Sequence, residues 1–221
     1  QPAFEEVFRT DYKLKGEWRN QFFHNSNPIV LELGCGRGEY TVALAERYPD
    51  KNFVGVDIKG ARMWRGAKTA TEQQMGNVGF LRTRIEFIDS CFGPGEVDEI
   101  WITFPDPQLR KSRVKKRLTA PDFLERYARF LRPGGTIHLK SDCRHLHDYT
   151  RAVAEGNLLP IEAANTDIYG TGFADELLSI KTTYEKRFLA QGVPITYLRF
   201  RLDDRNTFDP IEFAPDEQLL G

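Results

Sequence analysis

Acidic residues and glycines recur in this chain at positions where a small ligand could be bound. Glu32 precedes a glycine-rich turn of residues 34–38 (Gly-Cys-Gly-Arg-Gly), and three further carboxylates stand at Asp57, Asp106 and Asp142. Glycine allows the backbone to turn sharply and to approach a ligand, while an aspartate such as Asp57 can accept hydrogen bonds from two ribose hydroxyls. These residue types indicate a site for a cofactor that contains a nucleoside.

Glu39 helps to distinguish a dinucleotide cofactor from S-adenosylmethionine. In the G-x-G-x-x-G turn of dinucleotide-binding folds, the third glycine would occupy the position of Glu39. Glu32 and Glu39 would repel a pyrophosphate, whereas the ammonium and sulfonium groups of S-adenosylmethionine are attracted to acidic neighbours. The pattern favours S-adenosylmethionine, and capping of the following helix is the simpler alternative for Asp57.

Two hydrophobic periodicities alternate along the chain and predict the elements that carry these residues. Strands are predicted over residues 29–33, 52–57, 77–83, 99–104 and 136–140, with a late strand over 195–202. Helices are predicted over residues 40–48, 59–74, 85–92, 119–131 and 145–154, and residues 132–135 form the turn that closes the fourth of them. This alternation is typical of an α/β protein with a mostly parallel sheet, which binds ligands beyond the carboxyl ends of its strands. All four acids named first fall at such ends.

The composition fits a single globular domain. A chain of 221 residues with 40% hydrophobic and 29% charged residues can form one core. We predict an N-terminal arm over residues 1–27, the domain over 28–202 and an acidic tail over 203–221 that lies on the surface as a strap. No apolar run approaches the roughly 20 residues needed to cross a bilayer, so we expect a cytoplasmic protein with no membrane partner.

The cysteines and histidines do not predict a metal site. Cys35, Cys91 and Cys143 are odd in number and far apart, which indicates reduced, mostly buried thiols. Of the four histidines, only His145 and His147 are close together. We therefore expect no metal.

The cations are concentrated in one segment, although the formal net charge is only −1. Six of the eight residues 110–117 are basic: Arg110, Lys111, Arg113, Lys115, Lys116 and Arg117. A charge run is usually a solvated face, but this one follows Asp106 by a few residues and would lie at the rim of the predicted site. Lysine and arginine in that place can neutralise phosphates, so we expect contact with RNA.

Four motifs in a fixed order give the chain a specific resemblance. They are residues 32–36 (Glu-Leu-Gly-Cys-Gly), 104–107 (Phe-Pro-Asp-Pro) with the basic run after them, 131–135 (Leu-Arg-Pro-Gly-Gly) and 182–185 (Thr-Thr-Tyr-Glu). Over about residues 28–202 the chain resembles the bacterial tRNA (guanine-N7)-methyltransferase family. The second and fourth motifs are much more specific than the glycine turn.

The resemblance implies a Rossmann-like class I methyltransferase fold, with helices on both faces of the sheet and a late antiparallel strand. It also implies S-adenosylmethionine as cofactor and tRNA as partner. The implied reaction is methylation of N7 of the guanine at position 46, in the variable loop. We expect a monomer or a homodimer.

Matched motif to motif, the family also implies roles for individual residues. The cofactor site would comprise Glu32, Gly34, Gly36, Asp57, Arg84, Ile85 and Asp106, and Asp106 would also be the catalytic residue. The guanine or tRNA site would comprise Arg110, Asp142, Thr182, Tyr184 and Glu185. Phosphates would be bound by Lys111, Arg113, Lys115, Lys116 and Arg117.

The chain departs from the family pattern at three places. Gln108 replaces a common tryptophan, Arg110 replaces a usual lysine, and residues 82–85 (Arg-Thr-Arg-Ile) stand where many members have an acid or asparagine near the adenine. Adenine contacts would then come from the backbone amides of Arg84 and Ile85, or from Asp89 in a shifted register.

Three other functions stay open at this point. The first is an S-adenosylmethionine-dependent methyltransferase that acts on another RNA site, on protein or on a small molecule. The second is a nicotinamide dehydrogenase, which Glu39 and the lack of a catalytic histidine or tyrosine–lysine pair disfavour. The third is an RNA-binding protein without catalytic activity.

Overall fold

A mixed eight-stranded sheet forms the centre of the molecule in a computed structural model, which describes residues 4–6 and 11–213. Its strands are β1 (Phe4–Glu6), β2 (Ile29–Leu33), β3 (Asn52–Asp57), β4 (Val78–Arg82), β5 (Val97–Thr103), β6 (Leu131–Ser141), β7 (Ile161–Asn165) and β8 (Thr196–Arg201). The order across the sheet is β1-β4-β3-β2-β5-β6-β8-β7, and every neighbouring pair from β1 to β6 is parallel. Strand β8 runs antiparallel to both β6 and β7, so the prediction of a late antiparallel strand is confirmed.

Helices cover both faces of this sheet, as expected. They are α1 (Glu39–Arg47), α2 (Gly60–Glu72), α3 (Pro121–Ala128), α4 (Arg144–Gly156) and α5 (Thr183–Ala190). On one face, α3 and α4 pack with β2 and β5 in a cluster that includes Leu124, Leu146 and Ile100. On the other face, α1 and α2 form a second cluster through residues such as Tyr40 and Met63. The two clusters hold the carboxyl ends of the parallel strands in a rigid frame.

The segment after α3 differs from its prediction. The pattern predicted a helix to residue 131 and a closing turn over 132–135, but α3 ends at Ala128 and β6 already begins at Leu131. Leu131 pairs with Val97, the next pair is Thr136 with Glu99, and the residues between them bulge out of the ladder. Gly134 has a φ of 72°, which explains why glycine stands in this bulge.

The residues before β2 and after β8 pack against the sheet domain. Trp18 is buried, its ring stacks on Phe92 at 5.1 Å, and its backbone amide donates to Glu96 at 2.9 Å. Toward the other end, Phe208 is buried in the same core cluster. The division into arm, domain and tail stays a prediction, and the last residues of the predicted tail, 214–221, lie outside the described residues.

Two expectations about composition can be compared with the described residues. In that part of the chain, no helix is both long enough and apolar enough to cross a bilayer. The three cysteines are unpaired, with Cys35 and Cys91 buried and Cys143 partly buried.

Candidate active site

The predicted strand-end residues meet at one edge of the sheet. Asp57 ends β3, the glycine turn follows β2, Asp106 follows β5 and Asp142 follows β6. These four strands are parallel neighbours, and the chain moves outward in opposite directions from β2 and β5. This is the switch point at which open α/β sheets bind ligands.

The turn between β2 and α1 depends on its glycines. Gly34, Gly36 and Gly38 all have positive φ values, of 78°, 55° and 69°. A Cβ atom at Gly38 would lie 2.5 Å from the Phe80 ring, so a larger residue cannot be placed there without displacing that ring. The turn therefore leaves an open backbone surface above the end of β2.

Asp57 fixes this turn to the neighbouring strand. Its Oδ2 accepts a hydrogen bond from the Gly36 amide at 2.9 Å, and its Oδ1 accepts one from the Lys59 amide at 2.8 Å. The second contact closes a local turn before α2 and is not a helix cap, because Lys59 is itself the N-cap residue and α2 has no side-chain cap hydrogen bond. Asp57 thus organises the loops on both sides of the site edge.

Glu32 is a buried acid at the floor of the site. Only 3% of its surface is exposed, and its carboxylate accepts hydrogen bonds from Thr103 at 2.6 Å and from Thr41. Burial raises the pKa of Glu32 to about 7, although the two threonine hydroxyls oppose that rise. A cation placed beside Glu32 would favour its charged form.

Two cavities meet at Gly34. The first, of about 410 Å³, is lined by Glu32, Gly36 and the first turn of α5. The second, of about 660 Å³, is lined by Asp57, Arg84 and Ile85. The predicted cofactor residues other than Asp106 are therefore distributed along one continuous groove over the glycine turn.

The loop that carries Asp106 has an unusual backbone. Phe104 and Gln108 have φ values of 48° and 46°, in the left-handed region that non-glycine residues seldom adopt. The Asp106 side chain is exposed, and its Oδ1 accepts a hydrogen bond from the Gln108 amide at 3.0 Å. The two flanking prolines restrict the same loop, which thereby presents a carboxylate at the rim of the groove.

Tyr184 lies where several elements converge. It is 50% exposed, and its ring is 5.9 Å from the Phe104 ring and 4.9 Å from the Phe188 ring. Burial raises the pKa of Tyr184; the nearby carboxylates of Asp142 and Asp106 add to the rise, and two arginines oppose it. An accessible aromatic ring with two carboxylates close to it is suited to a flat, polar base.

Thr182 and Thr183 hold α5 at this position. The Thr182 hydroxyl caps α5 by accepting from the Glu185 amide at 3.1 Å. Glu39 accepts from both the amide and the hydroxyl of Thr183, each at 2.7 Å. Glu39, which disfavours a dinucleotide cofactor, thus joins the start of α1 to the start of α5.

Glu185 does not line either cavity, although the motif placed it in the guanine site. It is fully buried and pairs with Lys140 at 2.8 Å, and it also accepts from the Tyr169 hydroxyl at 2.7 Å. In this structure the carboxylate holds α5 against β6 and has no free oxygen directed at the groove. These contacts make Glu185 a residue that positions α5, and its assignment to the guanine site stays a prediction.

The basic run divides into exposed and buried members. Lys111–Lys116 form a 3₁₀ helix, and no acid among the described residues pairs with Arg110, Lys111, Arg113, Lys115 or Lys116, which are all exposed. Lys115 and Lys116 reach the second cavity. These side chains keep their positive charge available to an anion.

Arg117 is the exception, and its predicted phosphate contact does not fit its position. It is only 2% exposed, and it donates hydrogen bonds to the carbonyls of Pro107 at 3.1 Å and Gln108 at 3.3 Å. Its guanidinium also lies over the Tyr149 ring, 4.2 Å from the centroid. Arg117 therefore supports the Asp106 loop from below.

Sequence reasoning missed several residues of this site. Thr41 and Thr103 engage Glu32, and Arg62 and Arg187 line the first cavity. The position of Thr103 at the end of a predicted strand was a usable signal for that residue.

The described part of the chain contains no group of three or more residues that could together bind a metal ion.

Comparisons with known proteins agree with this geometry. The family model described as "Putative methyltransferase" matches residues 26–198. The chain is 52% identical to a tRNA (guanine-N(7)-)-methyltransferase of Christiangramia forsetii, with 91% of each chain covered. It is 53% identical to the protein of the same name from Porphyromonas gingivalis, over 93% of this chain and 85% of that one.

A solved structure shows the same fold at low identity. The 16S rRNA (adenine(1408)-N(1))-methyltransferase of Catenulisporales acidiphilia superposes with a TM-score of 0.60 at 19% identity, over 88% of this chain and 93% of that chain. The chain therefore has the fold of a class I methyltransferase. On these grounds the chain belongs to the tRNA (guanine-N7)-methyltransferase family.

Proposed function

We propose that this protein transfers a methyl group from S-adenosylmethionine to N7 of a guanine in tRNA, at position 46 of the variable loop. The observation that carries the proposal is the convergence at Tyr184. An exposed ring stands beside Asp106 and Asp142, next to the cavity over the glycine turn. A cytoplasmic location, where tRNA is found, is part of the same proposal.

The residues that line the groove are suited to S-adenosylmethionine. Asp57, with the backbone of Arg84 and Ile85, would hold the adenosine in the second cavity, and Glu32 with Gly34 and Gly36 would hold the amino-acid part in the first. The buried Glu32 is suited to a cationic partner because an attracted ammonium offsets the cost of its ionisation. The bound cofactor supplies a methyl group carried on a sulfonium.

The acceptor side fits guanine in a complementary way. Asp142 can accept hydrogen bonds from the N1–H and N2–H₂ groups of the base, and Arg110 can donate to O6. Tyr184 can stack on the ring, while Thr182 keeps α5 in place. Glu185 acts through Lys140 to fix the same helix.

The chemistry requires little from the protein beyond positioning. Guanine N7 has an in-plane lone pair that is unprotonated at neutral pH, so no general base is needed. Correct alignment of reacting groups is worth up to roughly 7–11 kcal/mol in favourable intramolecular reactions. Positive charge develops on the purine during transfer, and the exposed Asp106 carboxylate stabilises it electrostatically.

The exposed members of the basic run would bind the tRNA backbone. Lys111, Arg113, Lys115 and Lys116 are accessible and can each neutralise a phosphate. Such contacts orient the RNA without reading its sequence, so base recognition is left to the pocket at Tyr184.

The test is incubation of the protein with tRNA and methyl-labelled S-adenosylmethionine, followed by nucleoside analysis. We expect 7-methylguanosine, and no product from a transcript in which the guanine at position 46 is replaced by adenine. Label in another nucleoside, in protein or in a small molecule would select one of the alternative functions instead.

A matched pair of variants tests the assigned catalytic residue. Asp106→Asn preserves the acceptor for the Gln108 amide but removes the charge, so turnover should fall more than tRNA affinity does. Asp50→Asn changes an exposed acid in the turn before β3 and should leave both unchanged. Full activity of Asp106→Asn would remove its catalytic assignment.

A further inference from the structure

Two arginines from different helices line the first cavity. Arg62 comes from α2 and Arg187 from α5, and both side chains are exposed. Lys115 and Lys116 of the basic run line the second cavity instead. The site edge therefore has a second cationic region, which the charge run in the sequence does not reveal.

Neither guanidinium group forms an ion pair with an acid among the described residues. None of the ion pairs in the described part of the chain includes Arg62 or Arg187. The acids that line the same cavity are already engaged, because Glu32 accepts from two threonines and Glu39 accepts twice from Thr183. The positive charge at this part of the rim is thus available to an external anion.

Helix stability does not account for Arg62. It is the third residue of α2, and a cation in the first turn of a helix lies at the positive end of the helix dipole. The buried face of α2 is formed by Met63, Gly66, Ala67 and Ala70, so Arg62 adds nothing to the core. Neither the helix dipole nor the core thus explains an arginine at this position.

The position of the pair relative to Tyr184 indicates which anion that is. Arg62 and Arg187 are both close enough to Tyr184 to oppose the rise in its pKa. A nucleotide whose base stacks on that ring would bring its own phosphates within reach of the two side chains. Arginine presents a planar fork of donors that matches two phosphate oxygens.

We propose that Arg62 and Arg187 bind a backbone phosphate adjacent to the target nucleotide, so that the RNA strand is held on both sides of the base pocket. This inference rests on the proposed function. Arg37, which directly follows Gly36 and also lines the cavity, lies closer to the glycine turn and is not part of the proposed pair.

The experiment compares Arg62→Gln, Arg187→Gln and the double variant with Arg65→Gln. Arg65 is exposed on the same helix but does not line the cavity, so its variant is the matched control. We expect roughly tenfold weaker tRNA binding per arginine and a salt dependence flatter by about 0.7 to 0.9 per lost contact. Affinity for S-adenosylhomocysteine, measured by calorimetry, should be unchanged, which also shows that the variants are folded.

Two results would overturn the inference. If the variants lose affinity for S-adenosylhomocysteine but bind tRNA normally, the anion is the carboxylate of the cofactor. If neither affinity changes, the two arginines are a solvated rim. Either result can occur while the wild-type protein still forms 7-methylguanosine, so failure of this inference is distinguishable from failure of the proposed function, which the nucleoside analysis decides.

Discussion

Lys140 and Glu185 form an ion pair in which neither side chain has any exposed surface, with the Lys140 Nζ 2.8 Å from the Glu185 Oε1. The ammonium group also donates to the carbonyls of Leu178 at 2.7 Å and Ile180 at 3.1 Å. The pair thereby joins the end of β6, which leads to Asp142, to the helix that carries Tyr184. It connects two parts of the proposed guanine pocket through the interior.

Lys140→Met should destabilise the protein by about 3–5 kcal/mol, because it leaves the buried Glu185 carboxylate without its cationic partner. Urea denaturation monitored by circular dichroism measures this change. Lys186→Met, at an exposed position of the same helix, is the control and should have little effect. Adding Glu185→Met to Lys140→Met should recover part of the lost stability. If Lys140→Met alone lowers the free energy of unfolding by less than about 1 kcal/mol, the ion pair is not important for stability.

The raised pKa of Glu32 predicts a pH dependence. A carboxyl group whose pKa is about 7 when folded, against an ordinary value of 4.5, favours folding at low pH, and this contribution is lost as the pH rises through about 7. A cationic ligand prefers the ionised form, so affinity for S-adenosylhomocysteine should increase between about pH 6 and pH 8. Calorimetry across that range should show the increase for wild type and not for Glu32→Gln. An identical pH profile in the variant would show that another group titrates.

Asp57→Asn should weaken binding of S-adenosylhomocysteine while the fold is retained. The substitution replaces one of the two acceptor oxygens by an NH₂ donor, so either the Gly36 or the Lys59 amide faces a donor in place of its acceptor. The ribose hydroxyls also have one acceptor oxygen fewer. Asp89→Asn, which alters the acid considered in the shifted register, is the comparison. If Asp89→Asn weakens binding and Asp57→Asn does not, the adenosine lies elsewhere in the groove.

Arg117→Ala should reduce turnover more than tRNA affinity, since the guanidinium supports the loop that carries Asp106. Loss of hydrogen bonds from a charged donor should also cost about 1.5–3 kcal/mol of stability. Arg117→Lys retains a charge but cannot donate to both carbonyls in the same plane. Its turnover and its stability should therefore lie between those of wild type and Arg117→Ala. A flatter salt dependence of tRNA binding with normal turnover would instead return Arg117 to the phosphate-binding group.

Replacement of Lys111, Arg113, Lys115 and Lys116 by alanine should weaken binding to all tRNAs similarly. Each lost phosphate contact should flatten the salt dependence by about 0.7 to 0.9. Arg110→Ala, at the residue that we assign to the guanine O6, should reduce turnover on the target guanine more than overall affinity. Coincident salt slopes for wild type and the four-site variant, with cofactor binding intact, would identify the run as a solvated face.

The sequence was most informative where periodicity and strand ends coincide. The parallel strands from β2 to β6 and the convergence of Asp57, the glycine turn and Asp142 follow from alternation and from the rule on carboxyl ends. Strand β7 was missed because its residues are half-buried, with no continuous apolar face. Helix α5 was read only as a motif, although Thr182 and Glu185 carry the spacing of a capping box.

Individual side-chain roles were harder to predict because they depend on tertiary contacts. Arg117 and its exposed neighbours are equivalent in a charge pattern, and only the packing of α4 separates them. Glu185 was identified by its motif, but its partner Lys140 lies 45 residues away on a central strand, where a lysine is not expected to be buried. Arg62 and Arg187 carry no sequence signal at all.

The contact between Glu39 and Thr183 spans 144 residues, and this separation has a consequence for biosynthesis. At a synthesis rate of roughly 5–20 residues per second, Thr183 leaves the ribosome on the order of ten seconds after Glu39. During this interval α1 and the glycine turn can be formed, but the helix that completes the pocket does not yet exist. Non-local pairing of this kind slows folding, and here the reaction centre cannot be assembled until the segment that carries Thr183 has been synthesised.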